Sequence, residues 1–127
     1  MNTIHNIGVA KQIGAYSDAV EAPANARWLF TAGTPGLGLD GKLSADFAGQ
    51  AEQAWQHIMA ILHKAEMGAQ DLVKVTHYLL HAKDIPAYAK IRSKYLGEAR
   101  PASMLLIVPE LVRPNFLLEV EAIAAKA

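Results

Sequence analysis

Apolar residues recur along this chain at two spacings, which divide it into helices and strands. From Ser44 to about Glu66, the residues Phe47, Ala51, Ala54, Ile58, Ile61 or Leu62, and Ala65 recur at steps of three and four. That spacing makes one apolar stripe on a helix. Ser44 stands where an N-cap belongs, Asp46 falls in the first turn, and Gly68 is the expected stop. A second helix is predicted from about Ile85 to Leu96, with Pro86 tolerated in its first turn and Gly97 ending it. Elsewhere the period is two. Leu72 to Leu80 alternates Val73, Val75, His77 and Leu79 against Lys74, Thr76, Tyr78 and Leu80, a strand. Tyr16–Val20 and Arg27–Ala32, separated by a break at Pro23-Ala24-Asn25-Ala26, read as a hairpin, and residues 1–14 as polar and irregular. Two short apolar runs, Pro101–Pro109 and Asn115–Ala124, read as buried strands.

The order β-β-α-β-α-β-β predicts an α+β single domain over residues 1–127, a mixed sheet with two helices on one face. Two helices leave the other face of the sheet uncovered, so open faces are expected to pack together in an oligomer. The last strand carries an anomaly on that face. Leu117, Glu119, Glu121 and Ile123 share one side, Phe116, Leu118, Val120 and Ala122 the other. Carboxylates are rarely buried without a partner or a task, which makes Glu119 and Glu121 the first place to look for chemistry. The structural alternative for Glu119 is a pairing with Lys74 or a neighbouring strand; for Glu121 it is an interface or an ion pair.

Composition removes several functions. Twelve basic and twelve acidic residues give no net charge, so no nucleic-acid or anionic-membrane partner is expected. Cysteine is absent, which excludes disulfides, thiolate metal sites and a cysteine nucleophile. His77 and His81 would stand roughly 13 Å apart on a strand. His57 and His63 fall about 240° apart on a helix. No metal is expected. The loop Gly33–Gly41 holds four glycines but matches neither G-x-G-x-x-G nor a P-loop, and reads as a turn-rich pocket wall. No G-x-S-x-G elbow is present. The longest uncharged apolar run, Pro101–Pro109, is too short to span a membrane, and residues 1–6 lack a signal-peptide pattern. A cytoplasmic protein is the expectation.

Five stretches together resemble the RidA/YjgF family, the reactive-intermediate deaminases also described as L-PSP endoribonucleases. Ile13-Gly14-Ala15-Tyr16-Ser17-Asp18-Ala19-Val20 is similar to the family's I-G-P-Y-S-x-A-V, and Phe30-Thr31-Ala32-Gly33-Thr34-Pro35 to its T-S-G-Q-x-P. Gln50-Ala51-Glu52-Gln53-Ala54, Val73-Lys74-Val75-Thr76 and Glu119-Val120-Glu121-Ala122-Ile123-Ala124 are similar to its Q-x-x-Q-A, V-V-K-x-T and I-E-I-E-A-I-A. The resemblance implies a chorismate-mutase-like fold and a homotrimer whose sheets form a central barrel. It also implies a small-molecule site in each cleft between subunits, with no cofactor. Members with deaminase activity hydrolyse enamines or imines such as 2-aminoacrylate to a keto acid and ammonia. The resemblance places the water-positioning carboxylate on Glu119, the pocket tyrosine on Tyr16, and backbone ligand contacts on Thr31, Ala32, Gly33 and Thr34.

The chain departs from that pattern where the substrate carboxylate is held. The family's P-A-R arginine, a bidentate carboxylate partner, is replaced in Pro101-Ala102-Ser103, and the usual asparagine of the second helix by Arg92. The sequence Arg92-Ser93-Lys94-Tyr95 before Pro101-Ala102-Ser103 is more similar to an arginine-lacking branch, which generally lacks imine deaminase activity. Arg92 and Arg113 are the candidates to restore the charge, with Arg100 beside Pro101. The neutral charge argues against ribonuclease activity here. Two expectations stand: a hydrolase acting on C–N bonds of imines, enamines or related metabolites, or a non-catalytic metabolite-binding or interaction module.

Overall fold

The computed structural model describes residues 1–127. In chain order it contains β1 (Thr3–His5), β2 (Ala19–Glu21), β3 (Arg27–Phe30), β4 (Thr34–Pro35), α1 (Phe47–Lys64), β5 (Leu72–Leu79), α2 (Ile85–Leu96), β6 (Ala102–Ile107) and β7 (Leu118–Lys126). The main sheet runs β3-β7-β5-β6, with β4 also paired to β7. Only β5 and β6 are parallel, joined through α2, so the sheet is mixed.

The strand periodicity decides which side is covered. Val75, His77 and Leu79 of β5 and Leu118, Val120, Ala122 and Ala124 of β7 are buried. They form one core with Ala51, Ala54, Trp55, Ile58 and Leu62 of α1 and Tyr88 and Leu96 of α2. The alternate residues Lys74, Thr76, Tyr78, Glu119, Glu121 and Ile123 stand on the open side. There Trp28, Phe30 and Met104 are 52%, 68% and 52% exposed, an apolar face with no cover in the chain.

Two sequence expectations need correcting. The predicted hairpin does not form: β2 pairs with β1, Ile4 opposite Val20, whereas β3 pairs with the distant β7, Leu29 opposite Ala124. Polar clamping explains this. The Asp18 carboxylate accepts hydrogen bonds from the N–H groups of Ile7, Gly8 and Ala10 at 2.8–3.0 Å, and Asn6 accepts from the Asp18 N–H at 2.9 Å. Residues 1–14, irregular in the sequence reading, are folded back onto β2 and contain β1.

The second correction concerns the ends of α1. Asp46, not Ser44, caps the helix by accepting from the Gly49 N–H at 2.8 Å, and the Ser44 hydroxyl donates to that same carboxylate. The helix ends at Lys64, two residues before the expected end at about Glu66, and the stop is formed at Glu66 rather than at Gly68. Glu66 N–H donates to His63 O at 2.9 Å and Met67 N–H to Leu62 O at 2.8 Å, which is a Schellman turn. Its left-handed residue is Glu66, at φ 59°. Since that conformation is costly for a residue with a Cβ, Glu66→Gly should stabilise the fold by roughly 0.5–1 kcal/mol. A urea midpoint that does not rise would show that this turn carries no strain.

Candidate functional site

The predicted site residues fall into two groups, and the sheet separates them. The first surrounds a cleft of about 460 Å³ whose walls include Tyr16, Arg92, Ser103 and Leu105. Tyr16 reaches it because the preceding loop docks on the start of β6. Ser17 bridges to Ala102, and its N–H donates to the Pro101 carbonyl at 3.2 Å. Ser103 follows Pro101 into β6 opposite Val75, so its side chain falls on the helix-covered side. Arg92 stands on α2 with its guanidinium 5.7 Å from the Tyr88 ring centre. It takes part in neither ion pair of the chain.

The other arginines lie elsewhere. The Arg100 guanidinium donates to the carbonyls of Gly97 and Ala99 beyond the end of α2. Arg113 sits over the Phe116 ring, 5.6 Å from its centre, in the loop before β7. Of the three candidates, Arg92 alone lines the cleft with Ser103.

Behind Ser103 lies a polar chain that sequence reasoning missed. The Ser103 Oγ is 3.0 Å from Nε2 of His77. Nδ1 of His77 contacts the Tyr88 hydroxyl, which accepts from the Trp55 indole N–H at 3.1 Å. Trp55, His77 and Tyr88 are fully buried. Burial pushes the His77 pKa down to about 3, with the Arg92 charge adding to the effect. The imidazole is therefore neutral at any physiological pH. Burial likewise raises the Tyr88 pKa, keeping its phenol protonated. The sequence did carry a signal: α1, β5 and α2 each turn a residue with a polar tip toward one core, and buried polar tips need partners.

The second group lies on the open side. Glu119 stands opposite Tyr78 and beside Pro35 of β4. Gly33 adjoins it so closely that a Cβ there would lie 2.9 Å from Oε1 of Glu119. The Thr31 and Thr34 hydroxyls both donate to the Ala32 carbonyl, and Thr31 Oγ1 also accepts from the Ala122 N–H at 2.9 Å. These side chains hold the loop in shape beside the Glu119 carboxylate. Lys74 is not a partner of Glu119, since it stands opposite Ile123. Glu121 accepts from the Tyr78 hydroxyl at 2.7 Å, so it has a side-chain partner within the chain where Glu119 has none.

Burial raises the Glu119 pKa and is its only cause. The sign of its contribution follows. The folded chain holds this proton more tightly than the unfolded chain, so Glu119 costs stability as pH rises past the ordinary carboxylate range. A carboxylate that costs stability is more readily explained by function than by packing.

Comparison with known proteins agrees with the fold and the motifs. The Endoribonuclease L-PSP family model matches residues 7–126. The chain is similar to a RutC family protein of Pyrococcus horikoshii, 35% identical over 120 residues, 91% of this chain and 90% of that protein. It is also similar to a RutC family protein of Aquifex aeolicus, 32% identical over 117 residues, 90% of each. Among solved structures it resembles YyfB of the Rid protein family from Yersinia pestis, with a TM-score of 0.86, 25% identity and 98% of both chains covered. RidA from an Antarctic Psychrobacter superposes with a TM-score of 0.73, 27% identity, and 88% and 89% of the two chains covered. No helix is long and apolar enough to cross a membrane. With the motifs around Tyr16, Gly33 and Glu119 lying in the matched region, this chain belongs to the Endoribonuclease L-PSP family, that is, the RidA/YjgF family.

Proposed function

We propose that three copies of this chain assemble through the open faces of their sheets, and that each cleft between them binds a small metabolite through its carbonyl or carboxylate oxygen. One subunit contributes Tyr16, Arg92 and Ser103; its neighbour contributes Glu119 and the backbone of Thr31–Thr34. The observation that carries this reading is the separation of the two groups. Each lies on its own side of one sheet, and neither is a site alone. The exposed Trp28, Phe30 and Met104 supply apolar area for the contact.

The chemistry that suits such a cleft is hydrolysis of an imine, an enamine or a related C–N compound whose turnover does not depend on a bidentate grip on an α-carboxylate. Water adds to the imine carbon while Glu119 accepts its proton. Returned to nitrogen, that proton completes a carbinolamine; the remaining hydroxyl proton then moves to nitrogen, by way of Glu119, as the C–N bond breaks, releasing ammonia and leaving the ketone. A carboxyl group whose pKa is raised by burial is suited to taking and returning a proton. One observation favours the second reading, a metabolite-binding module without turnover: Ser103 offers a neutral hydroxyl where deaminases of the family carry a bidentate cation.

The shared cleft can be tested directly because the chain has no cysteine. With cysteines at positions 103 and 119, a short bismaleimide should link chains into covalent dimers and trimers. Within one chain the two positions face opposite sides of the sheet and cannot be bridged. Monomer bands alone, together with a monomer in sedimentation equilibrium at micromolar concentration, would remove the shared cleft.

A further inference from the structure

The chain of contacts from Trp55 to Ser103 has a direction, fixed by counting protons. An indole N–H can only donate, so the Tyr88 oxygen accepts from Trp55. The phenol proton then needs an acceptor, and within its buried surroundings the only one in contact is Nδ1 of His77. Were that nitrogen to carry a proton instead, the phenol oxygen would accept from both neighbours and its own hydrogen would be left unpaired in a dry core. Nδ1 therefore accepts. A neutral imidazole has one N–H, and it must then be on Nε2, which donates to Ser103 Oγ at 3.0 Å. The Ser103 hydroxyl proton has no partner within the chain, and the side chain lines the cleft.

We infer that Trp55, Tyr88 and His77 are positioning residues that fix the Ser103 hydroxyl as an outward hydrogen-bond donor, so the cleft takes a ligand's carbonyl or carboxylate oxygen at Ser103, beside Arg92. Each donor in such a series polarises the next, so the terminal hydroxyl is a better donor than an isolated serine. The same direction rules out serine chemistry. A nucleophilic serine must give its proton to the histidine, whereas here the Nε2 lone pair is occupied by hydrogen. The buried imidazole, neutral across physiological pH, remains in this arrangement. The inference rests on the proposed small-molecule cleft for its ligand, while the direction of the relay stands independently.

Three measurements test it. Two-bond ¹⁵N–¹H spectra, assigned with His77→Gln, should show His77 as the Nε2–H tautomer; the Nδ1–H tautomer would overturn the relay. A fluorophosphonate probe should leave the natural protein unlabelled, and labelling abolished by Ser103→Ala would establish a nucleophile and overturn it as well. Pyruvate, titrated by NMR, should bind about threefold to tenfold more weakly to Ser103→Ala, the range for one neutral hydrogen bond. Tyr88→Phe should weaken it similarly without touching the ligand, and Ser103→Thr should retain it. If Tyr88→Phe lowers the melting temperature but leaves pyruvate affinity intact, the residues behind Ser103 are structural and the inference fails. Failure of the natural protein to bind pyruvate would instead count against the small-acid cleft, with the tautomer still deciding the relay.

Discussion

Gly36→Ala is expected to lower the melting temperature by about 10 °C or more, a loss of roughly 3 kcal/mol. The cause is contact between two backbones. A Cβ on Gly36 would lie 2.1 Å from the carbonyl oxygen of Gln50 and 2.5 Å from its Cα. Neither atom can turn away, because both belong to the backbone of α1, in its first turn. The Gln50 side chain is also committed: its amide donates to the carbonyls of Ser44 and Asn115 and its oxygen accepts from the Leu117 N–H. The loop would have to lift off the helix, taking with it β4, which lies against Glu119. Gly41 provides the contrast. It has nothing within 4 Å but a φ of +81°, so Gly41→Ala should cost only about 1 kcal/mol of backbone strain. Equal melting temperatures for the two variants would show that the Gly36 contact does not limit stability.

That contact also shows where sequence reading reaches its limit. The Gly33–Gly41 loop was legible as a turn-rich connection, but which glycine is indispensable depends on what approaches it. Periodicity located α1, α2 and the long strands because one face of each is apolar, and a repeated pattern survives an error in any single residue. Pairing partners were harder. β3 joins β7 across more than ninety residues, and no local feature of Arg27–Phe30 announces it. Helix ends were misplaced for a related reason. Ser44 and Asp46 are both good caps, and the choice between them rests on which one Gly49 N–H reaches. At the site, the alternation of β7 correctly put Glu119 and Glu121 on the uncovered face. Alternation could not reveal that Ser103 faces the other way, because that depends on the parallel register with β5. Nor could it separate a buried histidine in an apolar row from a packing residue until Tyr88 and Trp55 were seen to converge on it.

The natural protein is expected to hydrolyse 2-aminoacrylate or 2-iminopropionate negligibly. These substrates present a carboxylate, and a carboxylate leaving water needs a charged partner with matched geometry. Losing one hydrogen-bonded charge pair costs about 2–5 kcal/mol, or roughly 30- to 5,000-fold. Ser103 supplies a single neutral donor, and Arg92 supplies a cation from α2 rather than from β6. Ser103→Arg should recover part of the activity, but only part. His77 Nε2–H would lose its acceptor in that variant, at a cost of about 1–3 kcal/mol in stability. The measurement is keto-acid formation in a coupled assay that generates the imine in place, referred to the folded fraction at each temperature. Robust turnover by the natural protein would mean that Arg92 grips the carboxylate and the position of the arginine is not decisive. No gain in folded Ser103→Arg would mean that more than a charge is missing. The family pocket would then serve binding, with Glu119 holding a ligand rather than a reacting water.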